Sequence, residues 1–291
     1  EYFDESSRIL IQNPEDNIKI EEQILDPSPY LDASLKKGRG AIFFSATLSP
    51  VEYYQETLGN TEGLILQMAS PFEEKQQNLL ITSYIDTRYA ARQRNLPNII
   101  ASIATLVEAK TGNYLIFGPS YAYLNQIADA FQEMHPEIEV HLQTSQMSME
   151  ERTAFLDAFR TEKSGTLVGF AVLGGLFSEG IDLINEQLIG VGIVSVGLPG
   201  LSTERNLLKE YFDEKNGHGF EYAYQLPGMN HVLQSAGRLI RTRRDRGNIL
   251  LMDQRFVTSR YLNLFPRHWK NYQKVTSVSD LQKAVKAFWK L

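Results

Sequence analysis

A chain of 291 residues, 43% hydrophobic and 22% charged, carries enough apolar material for a large core and has the balance of an ordinary soluble globular protein, one domain or one and a half. Zero cysteines exclude a disulfide framework, a thiolate metal site and a cysteine nucleophile, and without an apolar run of about 18 residues no membrane span is expected. The net charge of −6 argues against a protein that coats polyanions with its whole surface.

The opening EYFDESSRIL has no basic n-region, apolar h-region or initiator Met, so the chain reads as a cytoplasmic fragment without a signal peptide. A strand is expected over Ile18 to Leu25, broken by Asp26-Pro-Ser-Pro29, then a short helix over Tyr30 to Lys37. Ala41 to Phe44 is a continuous apolar run suited to a strand buried on both faces, delivering Ser45-Ala-Thr47 at its end. A helix capped by Ser49, with Pro50 in its first turn, should run to Leu58, and residues 60 to about 75 read as a strand and a crossing linker.

Strand and helix then alternate. Strands are expected at 79–82, 114–117, 139–142, 167–172, 188–196 and 249–252, and helices at 96–110, 121–134, 148–160 and 203–215. Ser148 and Glu151 form a capping box, and Ser277-Val-Ser-Asp280 caps a last helix carrying Leu281, Val285 and Phe288 on one face. Alternation with near-continuous apolar strands is the pattern of a parallel sheet covered on both faces, an α/β fold whose ligand chemistry gathers at the C-terminal ends of the strands.

One stretch organises the rest. Arg238, Arg241, Arg243, Arg244 and Arg246 fall within nine residues opposed only by Asp245. If His231 onward is helical, Gln234, Arg238 and Arg241 at i, i+4 and i+7 share one face. Gly237 would then sit in a helix interior at a cost of roughly 1 kcal/mol, which close approach of another group would offset. Such a face suits a polyanion such as a nucleotide triphosphate.

Gln234-Ser-Ala-Gly237-Arg238-Leu-Ile-Arg241 resembles the QxxGRxxR motif that ends the motor of superfamily 2 helicases. Phe44-Ser-Ala-Thr-Leu-Ser-Pro50, Leu115-Ile-Phe-Gly-Pro-Ser-Tyr121, Gly175-Leu-Phe-Ser-Glu-Gly-Ile-Asp182 and Gly197-Leu-Pro199 resemble, in order, the SATLSP, LxFxxSY, SEGID and following-turn motifs of the DinG and XPD branch. The resemblance implies a RecA-like parallel sheet with helices on both faces over 73–291, the second motor domain, preceded over 1–72 by the C-terminal edge of the first with its SATLSP motif and linker. It implies the C-terminal portion of an ATP-dependent 5′ to 3′ DNA helicase.

The same resemblance implies the roles. Arg238 and Arg241 reach the triphosphate held by the other domain, one as an arginine finger, and Gln234 positions water or a phosphate oxygen. Gly175, Glu179, Gly180, Asp182 and Gly237 would border the nucleotide. Ser45, Thr47, Ser120, Tyr121 and Ser178 would face single-stranded DNA. Arg88, in a second basic cluster with Arg92, Arg94 and Tyr89, suits a DNA backbone or a solvated helix face. Tyr121 reads equally as packing, and Gly174-Gly175 taken alone reads as a plain tight turn, with the SEGID-like sequence after it favouring function.

No GxxxxGK[ST] and no Asp-Glu-Ala-His box occurs, so ATP and Mg²⁺ would be held mainly by the first RecA-like domain of the same polypeptide, and the chain alone should not turn ATP over. The family's iron–sulfur cluster belongs to its first half and would not be in this fragment. The histidines at 135, 141, 218, 231 and 268 have no metal-like spacing, so no metal site is assigned. The alternative is a nucleic-acid-binding module with a degenerate motor, serving as tether or nuclease-associated platform.

Overall fold

The computed structural model describes residues 4–13, 17–45, 47–59, 62–161, 164–178 and 183–290. The chain divides into two compact units, Glu1–Met68 with Pro199–Pro227, and Ala69–Leu198 with Gly228–Leu291.

The first unit holds the antiparallel strands β1 (Ser7–Gln12) and β2 (Lys19–Ile24), helices α1 (Ser28–Leu35) and α2 (Val51–Thr57), and, from the later part of the sequence, α6 (Thr203–Asn216). An ionic knot joins these distant pieces. Lys215 Nζ lies 2.7 Å from Asp26 and 3.2 Å from Glu56, while the Tyr222 hydroxyl donates to Glu56 at 2.6 Å. Tyr222 also packs edge-on against Tyr53 with ring centroids 4.6 Å apart.

Three expectations fail here. Residues 41–44 form no strand, with Ile42 87% and Phe44 88% exposed, and 62–68 form none either. A strand apolar on both faces needs ladder partners on both sides, and among the described residues neither segment has one. Ser49 does not cap α2, whose N-cap position is Pro50 without a side-chain bond.

The second unit is built on a seven-stranded sheet in the order β5-β6-β4-β7-β8-β3-β9. Its strands are β3 (Gln77–Thr82), β4 (Asn113–Gly118), β5 (Glu139–Leu142), β6 (Leu167–Val172), β7 (Gly190–Val194), β8 (Gly247–Met252) and β9 (Gln273–Val275), each parallel to its neighbours. The expected RecA-like α/β fold is thus present.

Side chains alternate between two cores, as the two-residue strand period requires. From β4, Leu115 and Phe117 enter one core and Tyr114 and Ile116 the other. The first core is covered by α5 (Met149–Arg160), α7 (Leu226–Ala236) and the segment ending at Trp269, the second by α3 (Arg92–Val107), α4 (Tyr121–Met134) and α9 (Val278–Lys290). The Ser148 and Glu151 capping box is formed as read. Helix α3 begins one turn before its expected start and carries Pro97 inside it, and edge strand β9 is additional to the sequence reading.

Candidate nucleotide and nucleic-acid site

The motif residues of the second unit fall into two groups rather than all lying at the C-terminal strand ends. The first group is at those ends. Strand β4 exits into Ser120, which accepts the Tyr123 N–H at 3.4 Å and so starts α4, placing Tyr121 on its first turn. The Tyr121 hydroxyl accepts from Gln143 Nε2 at 3.2 Å, and Gln143 Oε1 accepts the Val172 N–H at 2.9 Å. Gln143 is fully buried and ties the exits of β4, β5 and β6 together. Sequence reasoning passed over it; a lone amide at a strand end carries no distinguishing pattern.

Past β6 the chain turns through Gly174 at φ +69°, where a Cβ would lie 2.8 Å from the His231 ring, so both conformation and space call for glycine. Strand β7 exits through Ser195 at φ 86° to Gly197 at φ +71°, whose backbone presses against Gly228.

The second group lies over one sheet face and at the N-terminal edge. Ser178 is fully buried, its hydroxyl donating to the Val172 carbonyl at 3.2 Å and accepting from Ser235 at 3.2 Å. The side chain expected to meet DNA is therefore turned into the fold, where it braces the loop. Arg238 donates from both Nε (2.9 Å) and Nη2 (2.6 Å) to the Ser178 carbonyl. Ser235 and Arg238 thus dock the arginine segment onto the loop after β6. Glu179, Gly180 and Asp182 lie outside the described residues.

Helix α7 stops at Ala236, so Gln234 is on its last turn, while Arg238 and Arg241 lie beyond it and do not share a helix face with it. Gly237 is not in a helix interior. A Cβ there would meet only the carbonyls of Leu233 (3.1 Å) and Gln234 (3.5 Å), so the expected close approach of another group is not seen. Past Ala236 the N–H groups of Arg238 and Leu239 bond three residues back, to Ser235 and Ala236, and the helix is lost before Arg241. Asp245, 1% exposed, accepts the backbone N–H of Arg241 and Thr242, each at 2.6 Å, and folds that segment into a loop. This loop sits at the N-terminal edge of the sheet, directly before the level at which Gln77 pairs with Gly247.

The basic run is divided as well. Arg246 stacks 4.5 Å from the Phe288 ring and donates to the Phe288 carbonyl, and with Arg244, Lys110 and Trp289 it lines a cleft that Asn185 also borders.

The second cluster lies past the exit of β3. Arg88 pairs with Asp86 at 3.2 Å, Tyr89 is 88% exposed, and the Arg92 guanidinium stands 5.6 Å from the Tyr89 ring and 4.5 Å from that of Tyr123. Burial raises the Tyr123 hydroxyl to about 12, so it stays protonated. Beneath it the buried Asp253 accepts from Arg255 Nε at 2.9 Å and from the Thr87 hydroxyl. Burial pushes its carboxyl up, but Arg255, Thr87 and a backbone N–H together hold it below its ordinary value. In the first unit, Ser45 and Thr47 are 3.2 Å apart at their hydroxyls, and the Thr47 N–H donates to Ser45 Oγ in a local turn.

A seven-stranded parallel sheet of this order, with an arginine segment docked on its β6 loop, defines a RecA-like helicase motor domain. The chain belongs to the helicase C-terminal domain family, which matches residues 103–272, and it is similar to the C-terminal portions of DinG- and XPD-like helicases. It is 26% identical over 275 residues to the ATP-dependent DNA helicase chl-1 of Caenorhabditis elegans, covering 87% of this chain and 33% of that protein. It is 26% identical over 268 residues to the ATP-dependent DNA helicase DinG of Photobacterium profundum, covering 88% of this chain and 38% of that one. The chain therefore spans between a third and two fifths of the length of these relatives. A solved structure titled XPD_APO superposes with a TM-score of 0.67 at 22% identity, over 88% of this chain and 52% of that one, a likeness of fold. Among the described residues no helix is long and apolar enough to cross a membrane.

Proposed function

We propose that this chain is the second motor domain, with a remnant of the first, of an ATP-dependent DNA helicase that moves 5′ to 3′ on single-stranded DNA. The observation that carries the reading is the separation of the motif residues into an arginine loop at the N-terminal edge and a polar rim at the C-terminal edge. A motor needs these two surfaces apart, one to sense nucleotide and one to track DNA. Arg241 acts as the arginine finger toward a triphosphate held by the first RecA-like domain. Guanidinium forks fit phosphate oxygens bidentately and keep their charge, so this donor set suits the ligand. Arg238 anchors the finger's segment to the loop after β6, and Gln234 orients water or a phosphate oxygen. Mg²⁺ is held in the first domain. Glu179, Gly180 and Asp182, following the braced Ser178, border the nucleotide, whereas Gly175, bonded to Val172 at the exit of β6 beside Gln143, stands on the side of the DNA rim.

On the DNA side, Ser120, Tyr121, Arg88 and the segment of Ser45 and Thr47 contact the strand, phosphates first. Tyr89, held over Arg92, adds an aromatic face on which a base can stack.

The chain alone should hydrolyse no ATP, since it lacks a Walker lysine. It should bind single-stranded DNA weakly, with affinity falling as salt rises through counterion release. Fluorescence anisotropy with a labelled oligonucleotide at several salt concentrations measures this, and Arg88→Ala should lower the salt slope by about 1. Preference for duplex, or an unchanged slope in Arg88→Ala, would remove Arg88 from the track.

A further inference from the structure

Asp245 looks in sequence like a counter-charge in a basic run, yet its contacts are of another kind. Oδ2 accepts the N–H of Arg241 and of Thr242, each at 2.6 Å, while Oδ1 accepts the Asn185 N–H at 2.7 Å and the Thr242 hydroxyl at 2.9 Å. Four donors from two separate segments converge on one carboxylate. The Asp245 carbonyl and the Thr242 carbonyl in turn accept from Gln76 Nε2, at 2.8 Å and 3.0 Å. Three stretches therefore meet at this residue: the loop bearing Arg241, the turn around Asn185 that follows the SEGID-like motif, and the segment entering β3. Asn185 lies at φ 56°, in the left-handed region where asparagine is enriched among non-glycine residues.

We propose that Asp245 is a positioning residue for the arginine finger, fixing the Arg241 backbone against the turn at Asn185 and the entry to β3 so that a shift of either segment moves Arg241. The inference rests on the reading of Arg241 as facing the triphosphate. The four donors use both carboxylate oxygens as acceptors. An asparagine offers one acceptor oxygen, so whichever way its amide is turned the NH₂ faces at least one backbone N–H, that of Asn185 or those of Arg241 and Thr242, and a stranded donor is costly.

The test is a double-mutant cycle in the full-length parent, reading kcat and KM for ATP, single-stranded DNA affinity and amide hydrogen exchange. Asp245→Asn should lower kcat on the order of 10²-fold with DNA affinity within about threefold of wild type. Combined with Arg241→Ala it should lower kcat by no more than about twofold further, because the finger it places is already gone. Fully multiplicative losses would show that Asp245 acts through general stability, and kcat within about threefold of wild type would equally overturn the proposal.

If Asp245→Asn does not fold, Thr242→Val removes one of the four donors and is read by the same cycle, with a loss of roughly 3- to 10-fold. Exchange separates the two readings. Loss of Arg241 and Thr242 amide protection in Asp245→Asn supports the clamp even if Arg241→Ala keeps its ATPase and the finger reading fails. Retained protection sinks the clamp whatever Arg241 does.

Discussion

Replacing Arg241 by alanine in the full-length parent should lower ATP turnover on the order of 10³-fold or more while leaving single-stranded DNA affinity nearly intact. A finger's charge is used chiefly in the transition state, so the loss falls on kcat rather than on ground-state binding. The fold sharpens the expectation. Arg241 lies on a loop at the N-terminal edge, whereas Ser120 and Tyr121 stand at the C-terminal edge, so the substitution leaves the proposed DNA contacts untouched. Lysine should rescue little, since a point charge on a flexible stem does not reproduce the planar fork. Arg238→Ala should behave differently. It breaks two hydrogen bonds to the Ser178 carbonyl and should loosen the loop after β6 as well as slow turnover. Steady-state ATPase with and without DNA decides the matter. An Arg241→Ala parent within about threefold of wild type would leave under roughly 1 kcal/mol for the residue to supply, and the finger assignment would be lost.

Asp253→Ala should cost roughly 3 kcal/mol of stability, the scale for removing one partner of a buried ion pair. Asp253 is fully buried, and its loss strands Arg255, whose side chain is only 16% exposed, together with the Thr87 N–H that donates to it at 3.1 Å. The effect depends on pH in a defined sense. The carboxyl is held below its ordinary value of 3.8 in the folded chain, so the unfolded chain takes up its proton first as pH falls. The stabilisation is complete above about pH 5 and fades as pH drops through 3.8 and on through the lower folded value. Urea unfolding of wild type and Asp253→Ala at neutral and acid pH should show the gap narrowing toward acid. A gap that is constant or widens would contradict this account of the pair.

Much of the second unit was legible because its signals are local. The limits of α4, β5, α5 and β6 follow from Ser120 and Ser148 as caps and from short apolar runs between turn residues, none of which needs a distant partner. The motif residues were legible as chemistry for the same reason: a guanidinium is a phosphate ligand wherever it stands.

Their arrangement was not legible. Gln234, Arg238 and Arg241 keep a helical spacing, yet the helix ends at Ala236, where the N–H groups of Arg238 and Leu239 turn to carbonyls three residues back, and Asp245 holds the N–H groups of Arg241 and Thr242 in a loop. Periodicity shows neither. Ala41 to Phe44 has the composition of a central strand and is none, because a ladder is a property of two segments and composition describes one. Ser178 reads as an exposed loop hydroxyl, and only packing of the loop after β6 against Ser235 turns it inward. Sequence alone determined the limits of α4, β5, α5 and β6 and which side chains can meet phosphate, since those depend on propensity and chemistry within a few residues. Tertiary structure alone decided which strands are neighbours and which edge of the sheet receives Arg241, since each depends on hydrogen bonds between residues far apart in the chain.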